Sequence, residues 1–218
     1  MTAYSAARLN MVESQVRPNR VTDPRVVGAM LELPRERFVP EPLRGIAYVD
    51  EDVPLGSGRF LMEPMVLARL VQAARIVTGE TVLEVGSGTG YGAAVMSQMA
   101  GRVVALESDT NLARQAQTTL GALGIANVQV VTGPLEQGHA AAAPYDAIVF
   151  AGAVAQVPPR VIDQLAEGGR LVAVVAVPGE PGRATLVTRV AGAFSRRILF
   201  DAGSRLLPGF EFEPGFAF

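Results

Sequence analysis

Residues 81–95 read TVLEVGSGTGYGAAV. A short apolar run carries one acid, Glu84, and closes at Val85. Glycine then takes every second position, Gly86, Gly88, Gly90 and Gly92, ahead of an alanine-rich segment. Each glycine loses more conformational freedom on folding than any other residue, so four so close together need a reason. The run predicts a buried strand over 81–85, the glycines a strand-to-helix turn, and the segment from Tyr91 a helix.

The pattern repeats downstream. RVVALE (102–107) reads as a strand and 110–124 as an amphipathic helix, with Ser108 or Asp109 as its N-cap and glycine at its end. NVQVVT (127–132) and YDAIVF (145–150) read as strands, 158–169 as a helix with proline first and glycine last, and 170–177 as a strand. ATLVTRV and RRILFD, joined by AGAF, form an antiparallel hairpin. Continuous apolar strands alternating with helices mean a parallel sheet covered on both faces.

Upstream of Gly79 the chain changes character. Residues 23–33 predict a helix with Asp23 as N-cap and Pro24 in its first turn. PRERFVPEPLRGIAY is broken by prolines, and 62–76 has helical spacing in Leu67, Leu70, Val71 and Ala74. The expected fold is therefore α/β and Rossmann-like: a mostly parallel sheet with an antiparallel C-terminal hairpin and an N-terminal helical extension. The expected division is 1–78 and 79–218, packed as one globular unit.

Composition removes whole classes of chemistry. The 218-residue chain is 49% hydrophobic, with a formal net charge of -2, so no global field favours nucleic acid. All 19 basic residues are arginine, which excludes Schiff-base and P-loop lysines. Without cysteine there is no disulfide or thiolate nucleophile, and His139 is the one histidine, so no metal site is expected. The longest apolar run, 171–177, is too short to span a bilayer, and the first 18 residues carry charges throughout. The expectation is a soluble cytoplasmic protein with neither membrane nor nucleic acid as partner.

In such a sheet, ligands sit at the carboxyl ends of the strands where strand order reverses. Bare backbone there can bend sharply and lie against a ligand, and the next helix offers unpaired N–H groups. The second strand ends at Glu107, about 20 residues after the first glycine, the distance at which an acid reaches ribose hydroxyls. The strict G-x-G-x-x-G pattern fails from Gly86, because position 91 is Tyr. It is met from Gly88 in the form ending in alanine, at Ala93. A nucleotide cofactor is thus allowed on the motif alone. Glu84 would repel a pyrophosphate and attract an amino group and a sulfonium, so charge favours S-adenosylmethionine.

VLEVGSGTGYGAAV resembles the first motif of class I methyltransferases. With RFVPEPLRGIAYVDEDVPL upstream and VVALE, PYDAIVFAGAV and LAEGGRLVAVV downstream, the chain is similar to the protein-L-isoaspartate (D-aspartate) O-methyltransferases over roughly residues 8–208. The resemblance implies methyl transfer from S-adenosylmethionine to the side carboxylate of L-isoaspartyl residues in peptides and proteins, the first step of protein repair. It implies that Glu84, Gly86, Ser87, Gly88 and Gly90 cradle the donor and that Glu107 binds its ribose. A carboxylate acceptor is ionised at neutral pH and needs no general base, only proximity, alignment and desolvation. Where nitrogen-methylating relatives in the superfamily carry Asn/Asp-Pro-Pro-aromatic, this chain has FAGAVAQVPP, which discounts nucleobase and amide acceptors.

Two departures matter. The family's substrate loop resembles HGQTISQP, and Ser57 to Pro64 here read SGRFLMEP. Phe60 replaces a threonine, Met62 a serine and Glu63 a glutamine, so no catalytic residue is assigned. Phe60 and Met62 either reshape an acceptor pocket or simply pack. Arg59 either captures a carboxylate or lies solvated on the surface. After the third strand the family carries an acid that accepts from the adenine amino group, and here the chain reads Gly133-Pro134-Leu135. Pro134 and Leu135 would pack on the adenine instead. His139 stands where the family often has tryptophan and reads as a loop residue. The departures keep two other readings open, a donor site serving another acceptor and a non-catalytic relative that binds the donor or a protein partner. A nicotinamide dehydrogenase stands well behind them.

Overall fold

The computed structural model describes residues 3–210. Residues 1–2 and 211–218, which the two-part division also takes in, lie outside the described residues. Ala3–Met11 is α1 and Pro24–Glu32 is α2, whose N-cap Asp23 accepts from Arg25 N–H and whose first turn holds Pro24. The proline-broken stretch makes two 3₁₀ segments, Arg35–Phe38 and Glu41–Ile46. Val53–Gly56 (β1) and Arg59–Leu61 (β2) then pair antiparallel as a small separate hairpin. The sequence reading had no strand there. Strands of four and three residues are too short to establish a period of two in the sequence, and Gly56 and Gly58 at the tip resemble any loop.

Helix α3 (Pro64–Ala74) leads to the main sheet, whose strands are β3 (Thr81–Val85), β4 (Arg102–Glu107), β5 (Val128–Thr132), β6 (Tyr145–Val154), β7 (Leu165–Val175), β8 (Arg183–Val190) and β9 (Ala193–Asp201). Helices α4 (Tyr91–Ser97), α5 (Thr110–Ala122) and α6 (Pro159–Ile162) connect them. The spatial order is β5-β4-β3-β6-β7-β8-β9, parallel from β5 to β7 and antiparallel through β8 and β9. This is the expected Rossmann-like sheet with its closing hairpin. Strand order reverses between β3 and β6, so the glycine turn after β3 stands at the switch point.

The helix expected over 158–169 is a correction. It ends after one turn at Ile162. Leu165 is taken into the sheet opposite Tyr145, and pairing resumes at Arg170 opposite Ala147, so residues 166–169 bulge out. Gln164 holds the switch by bonding Gln137 O at 2.7 Å and Arg160 O at 3.0 Å through its amide. Tertiary pairing overrides a local pattern that reads equally well as helix.

Alternation along β3 sorts its residues between two cores. Val82 joins the cluster that contains α2, α3, α4 and α5, while Leu83 and Val85 join the opposite one. The second face is covered by the single turn of α6 and by loop residues Leu135, Val157, Leu207 and Phe210. Glu84 and Glu107 share the pleat side of Val82, Val103 and Ala105, because Glu84 pairs with Ala105 two positions before Glu107.

Candidate functional site

The turn after β3 folds back on β4. Gly86 N–H and Ser87 N–H both donate to Leu106 O, at 2.9 and 3.0 Å. Gly86, Gly88 and Gly90 have φ of 80°, 55° and 91°, the left-handed region where a β-carbon is strained. Close packing by the protein's own groups adds a second reason for the glycines. A β-carbon on Gly86 would stand 2.6 Å from Leu207, and one on Gly88 2.8 Å from Leu55. One on Gly92 would overlap Glu84 Oε1. Gly90 caps α4 with its backbone alone, and Ser87 Oγ is buried with no hydrogen-bond partner.

Glu107 is fully buried at the end of β4 and its carboxylate is held on both oxygens. Oε2 accepts from Gly88 N–H at 2.6 Å and from Arg59 Nη2 at 3.0 Å. Oε1 accepts from Ser108 N–H at 2.8 Å and Asp109 N–H at 3.0 Å. Asp109 in turn caps α5 through Asn111 and Leu112. The Leu112 N–H first, and then the Ser57 hydroxyl, hold its carboxyl below the usual range. The tip of the β1–β2 hairpin is thereby tied to the start of α5.

Of the two readings of Arg59, the solvated surface one does not hold. The side chain is 3% exposed and spans Gly86 O at 2.7 Å and Glu107 Oε2 at 3.0 Å. Glu84 lies one pleat deeper than the turn, beneath the start of α4. Neither of its oxygens has a partner in full hydrogen-bond geometry, and the Ala93 N–H stands near enough to act on the carboxyl. Burial pushes its pKa up to about 8; the Ala93 N–H opposes this and the neighbouring Glu107 adds to it. In this arrangement burial favours the neutral form of the Glu84 carboxyl and works against the full negative charge expected to attract a sulfonium.

The remaining predicted residues separate. Gly86, Ser87, Gly88, Glu107 and Arg59 meet in one place. Phe60 is half-buried under the Arg205 guanidinium, 5.3 Å from its ring centre. Met62 is buried in the larger core and its carbonyl accepts from Arg35 at 2.8 Å. Glu63 lines a cleft of about 420 Å³ with Glu51, Asp52 and Arg205. Burial and then the Asp50, Asp52 and Glu51 carboxylates push its pKa up to about 7. Pro134 is exposed, while Leu135 turns into the second core. His139 hydrogen-bonds through its backbone, to the Gln164 amide oxygen and the Tyr145 hydroxyl. The sequence reading missed Leu55 and Leu207, the apolar groups laid on the turn. Leu207 arrives because its N–H donates to Ala153 O while Ala153 N–H donates to Arg205 O, a pairing no periodic signal announces.

Comparison with known proteins follows the same outline. The family described as protein-L-isoaspartate(D-aspartate) O-methyltransferase matches residues 7–198. The chain is 42% identical over 190 residues to protein-L-isoaspartate O-methyltransferase 1 of Rhodopseudomonas palustris (strain HaA2), covering 87% of this chain and 78% of that protein. It is 40% identical over 190 residues to the Gloeobacter violaceus protein of that name, covering 87% and 93%. Among solved structures, a protein-L-isoaspartate O-methyltransferase superposes with a TM-score of 0.80 at 27% identity, over 93% of this chain and 66% of that one. A Plasmodium falciparum relative, solved in complex with S-adenosyl-L-homocysteine, shares the fold with a TM-score of 0.78 at 22% identity, over 95% and 99% of the two chains.

Proposed function

We propose a function from one premise: this chain belongs to the protein-L-isoaspartate(D-aspartate) O-methyltransferase family. It acts as an S-adenosylmethionine-dependent methyltransferase on the side-chain carboxylate of isoaspartyl residues in proteins and peptides. The observation that carries the reading is Glu107 reaching across the glycine turn to Gly88 N–H at the switch point of the sheet.

The residues present suit the donor. Gly86, Gly88 and Gly90 carry no β-carbon, with Leu207, Leu55 and Leu120 packed beside them, and Ser87 Oγ is a buried hydroxyl without a partner. Glu107 stands where sugar hydroxyls need an acceptor, provided Arg59 yields Oε2. When bound, the donor supplies an electrophilic methyl on a sulfonium. The chain's own residues bind, align and exclude water. Leu55 and Leu207 wall the turn with apolar surface, and Glu84 with α4 shapes its floor. Pro134 packs on the adenine side without an acid to accept from the amino group. Residues 79–218 carry the donor site and residues 1–78 bring the hairpin that faces it. A cytoplasmic location belongs to the same proposal.

A second reading, transfer to a different acceptor, is favoured by Phe60 and Met62. The resemblance expects hydroxyls there, and Met62 is committed to the core. Labelled methyl transfer to an isoaspartyl peptide, with the matched aspartyl peptide as control, decides between them. Label in the isoaspartyl peptide well above the control is expected. Equal background in both would remove isoaspartate as the acceptor.

A further inference from the structure

The cradle that the proposed donor site assigns to a sugar already holds a cation of the protein itself. Arg59 Nη2 donates to Glu107 Oε2 and to Gly86 O, bridging the two groups the donor would lie against. The other contacts of the Glu107 carboxylate come from Gly88, Ser108 and Asp109, which belong to the two turns that build the site. Among the described residues Arg59 is the one long-range side chain on it, contributed by a separate hairpin. The two side chains are 3% and 0% exposed.

Two features make this contact exchangeable. The guanidinium is incompletely satisfied, with Nε buried and without a partner. A buried ion pair gains little when part of it stays unpaired, because desolvation offsets the attraction. The hairpin also makes no strand pairing with the main sheet and is held by side chains alone, Val53, Leu55 and Leu61 in the larger core and Arg59 on Glu107. Sugar hydroxyls arriving at Glu107 Oε2 would replace the guanidinium hydrogen bond with hydrogen bonds of their own. The carboxylate would keep its backbone donors throughout.

We propose that Arg59 is a gate on the donor site: its guanidinium competes with the donor's sugar for Glu107 and must withdraw before the donor can seat. This rests on the donor reading of the cradle. It makes donor affinity the intrinsic affinity reduced by the fraction of molecules with Arg59 withdrawn. Removing the guanidinium should therefore strengthen donor binding, whereas loss of a merely structural residue would weaken it.

Isothermal titration of S-adenosylhomocysteine into wild type, Arg59→Gln and Arg59→Lys tests this. The dissociation constant is expected to fall at least about fivefold in Arg59→Gln, with Arg59→Lys between it and wild type. Unchanged or weaker binding in the folded variants overturns the gate. Arg59→Lys keeps a charge beside Glu107, so the test stands even if the glutamine variant unfolds. If neither wild type nor any variant binds S-adenosylhomocysteine at millimolar concentration, the donor reading itself fails. Binding by the variants alone supports both.

Discussion

Glu84 shows how a residue read correctly in type can differ in state. Acidic and at the end of an apolar run, it stands near the glycine turn in the sequence, and from that a charged role follows. The fold instead places both oxygens under α4 with no partner in full hydrogen-bond geometry. Burial pushes the carboxyl from 4.5 to about 8. An acid whose folded pKa is raised stabilises the native state fully below its unfolded pKa. That contribution is lost as pH rises through the folded value. The window for Glu84 thus runs from about pH 4.5 to about 8. Glu84→Gln keeps the shape and removes the titration. It is expected to match wild type near pH 5 and to exceed it above pH 8 by a few kcal/mol, roughly 5–10 °C in Tm. Thermal melts of both proteins from pH 4.5 to 9 measure this. A difference that does not grow with pH would mean that Glu84 is ionised in the fold. Arg59 carries the same lesson in reverse, since sequence left it between surface and site, and only the pairing of β2 with β1 brings it to Glu107.

At the scale of elements, legibility follows length and period. The strands β3 and β4 and the start of α4 fall where the sequence puts them, because each is a continuous apolar run or follows a glycine turn. The hairpin and the shortened α6 were not legible. In both, neighbours decide the outcome over only a few residues. Arg35 is a central tie of the proline-broken segment before the hairpin, beside the Tyr48–Glu36 and Thr89–Phe38 bonds. Arg35 is 0% exposed, donates to Ala47 O at 2.6 Å and Met62 O at 2.8 Å, and lies 4.8 Å over the Tyr91 ring. It thereby joins the 3₁₀ segment, the approach to α3 and the first turn of α4. Arg35→Met keeps most of the volume but leaves two buried carbonyls unpaired. The expected cost is about 2–4 kcal/mol, seen as a drop of roughly 5–15 °C in Tm. A variant as stable as wild type would show that packing of Phe38 and Tyr91 fixes the segment without Arg35.

Across the whole molecule, the sequence reading separates residues 1–78 from 79–218 by a change of pattern. Pattern does not report how the parts share a core. More than half of the buried members of the larger cluster precede residue 79, from Met11 through Ile76. They lie in one contiguous cluster with Val82, Val103, Ala147, Val149 and Val172 of the sheet. One face of β3, β4, β6 and β7 is therefore covered in part by chain that lies outside the Rossmann-like segment. That apolar face would meet water if residues 1–78 were removed, at a loss of about 25 cal/mol for every Å² exposed. A single domain has only about 5–15 kcal/mol of net stability, so a few hundred Å² of new apolar surface exceeds the margin. A fragment of residues 79–218 is thus expected to lack a cooperative thermal transition and to bind a hydrophobic dye. The intact chain should melt in one step by circular dichroism. A fragment that melts cooperatively within about 5 °C of the intact chain would show that the sheet closes its own core. The N-terminal part would then be an attachment whose main contribution is Arg59.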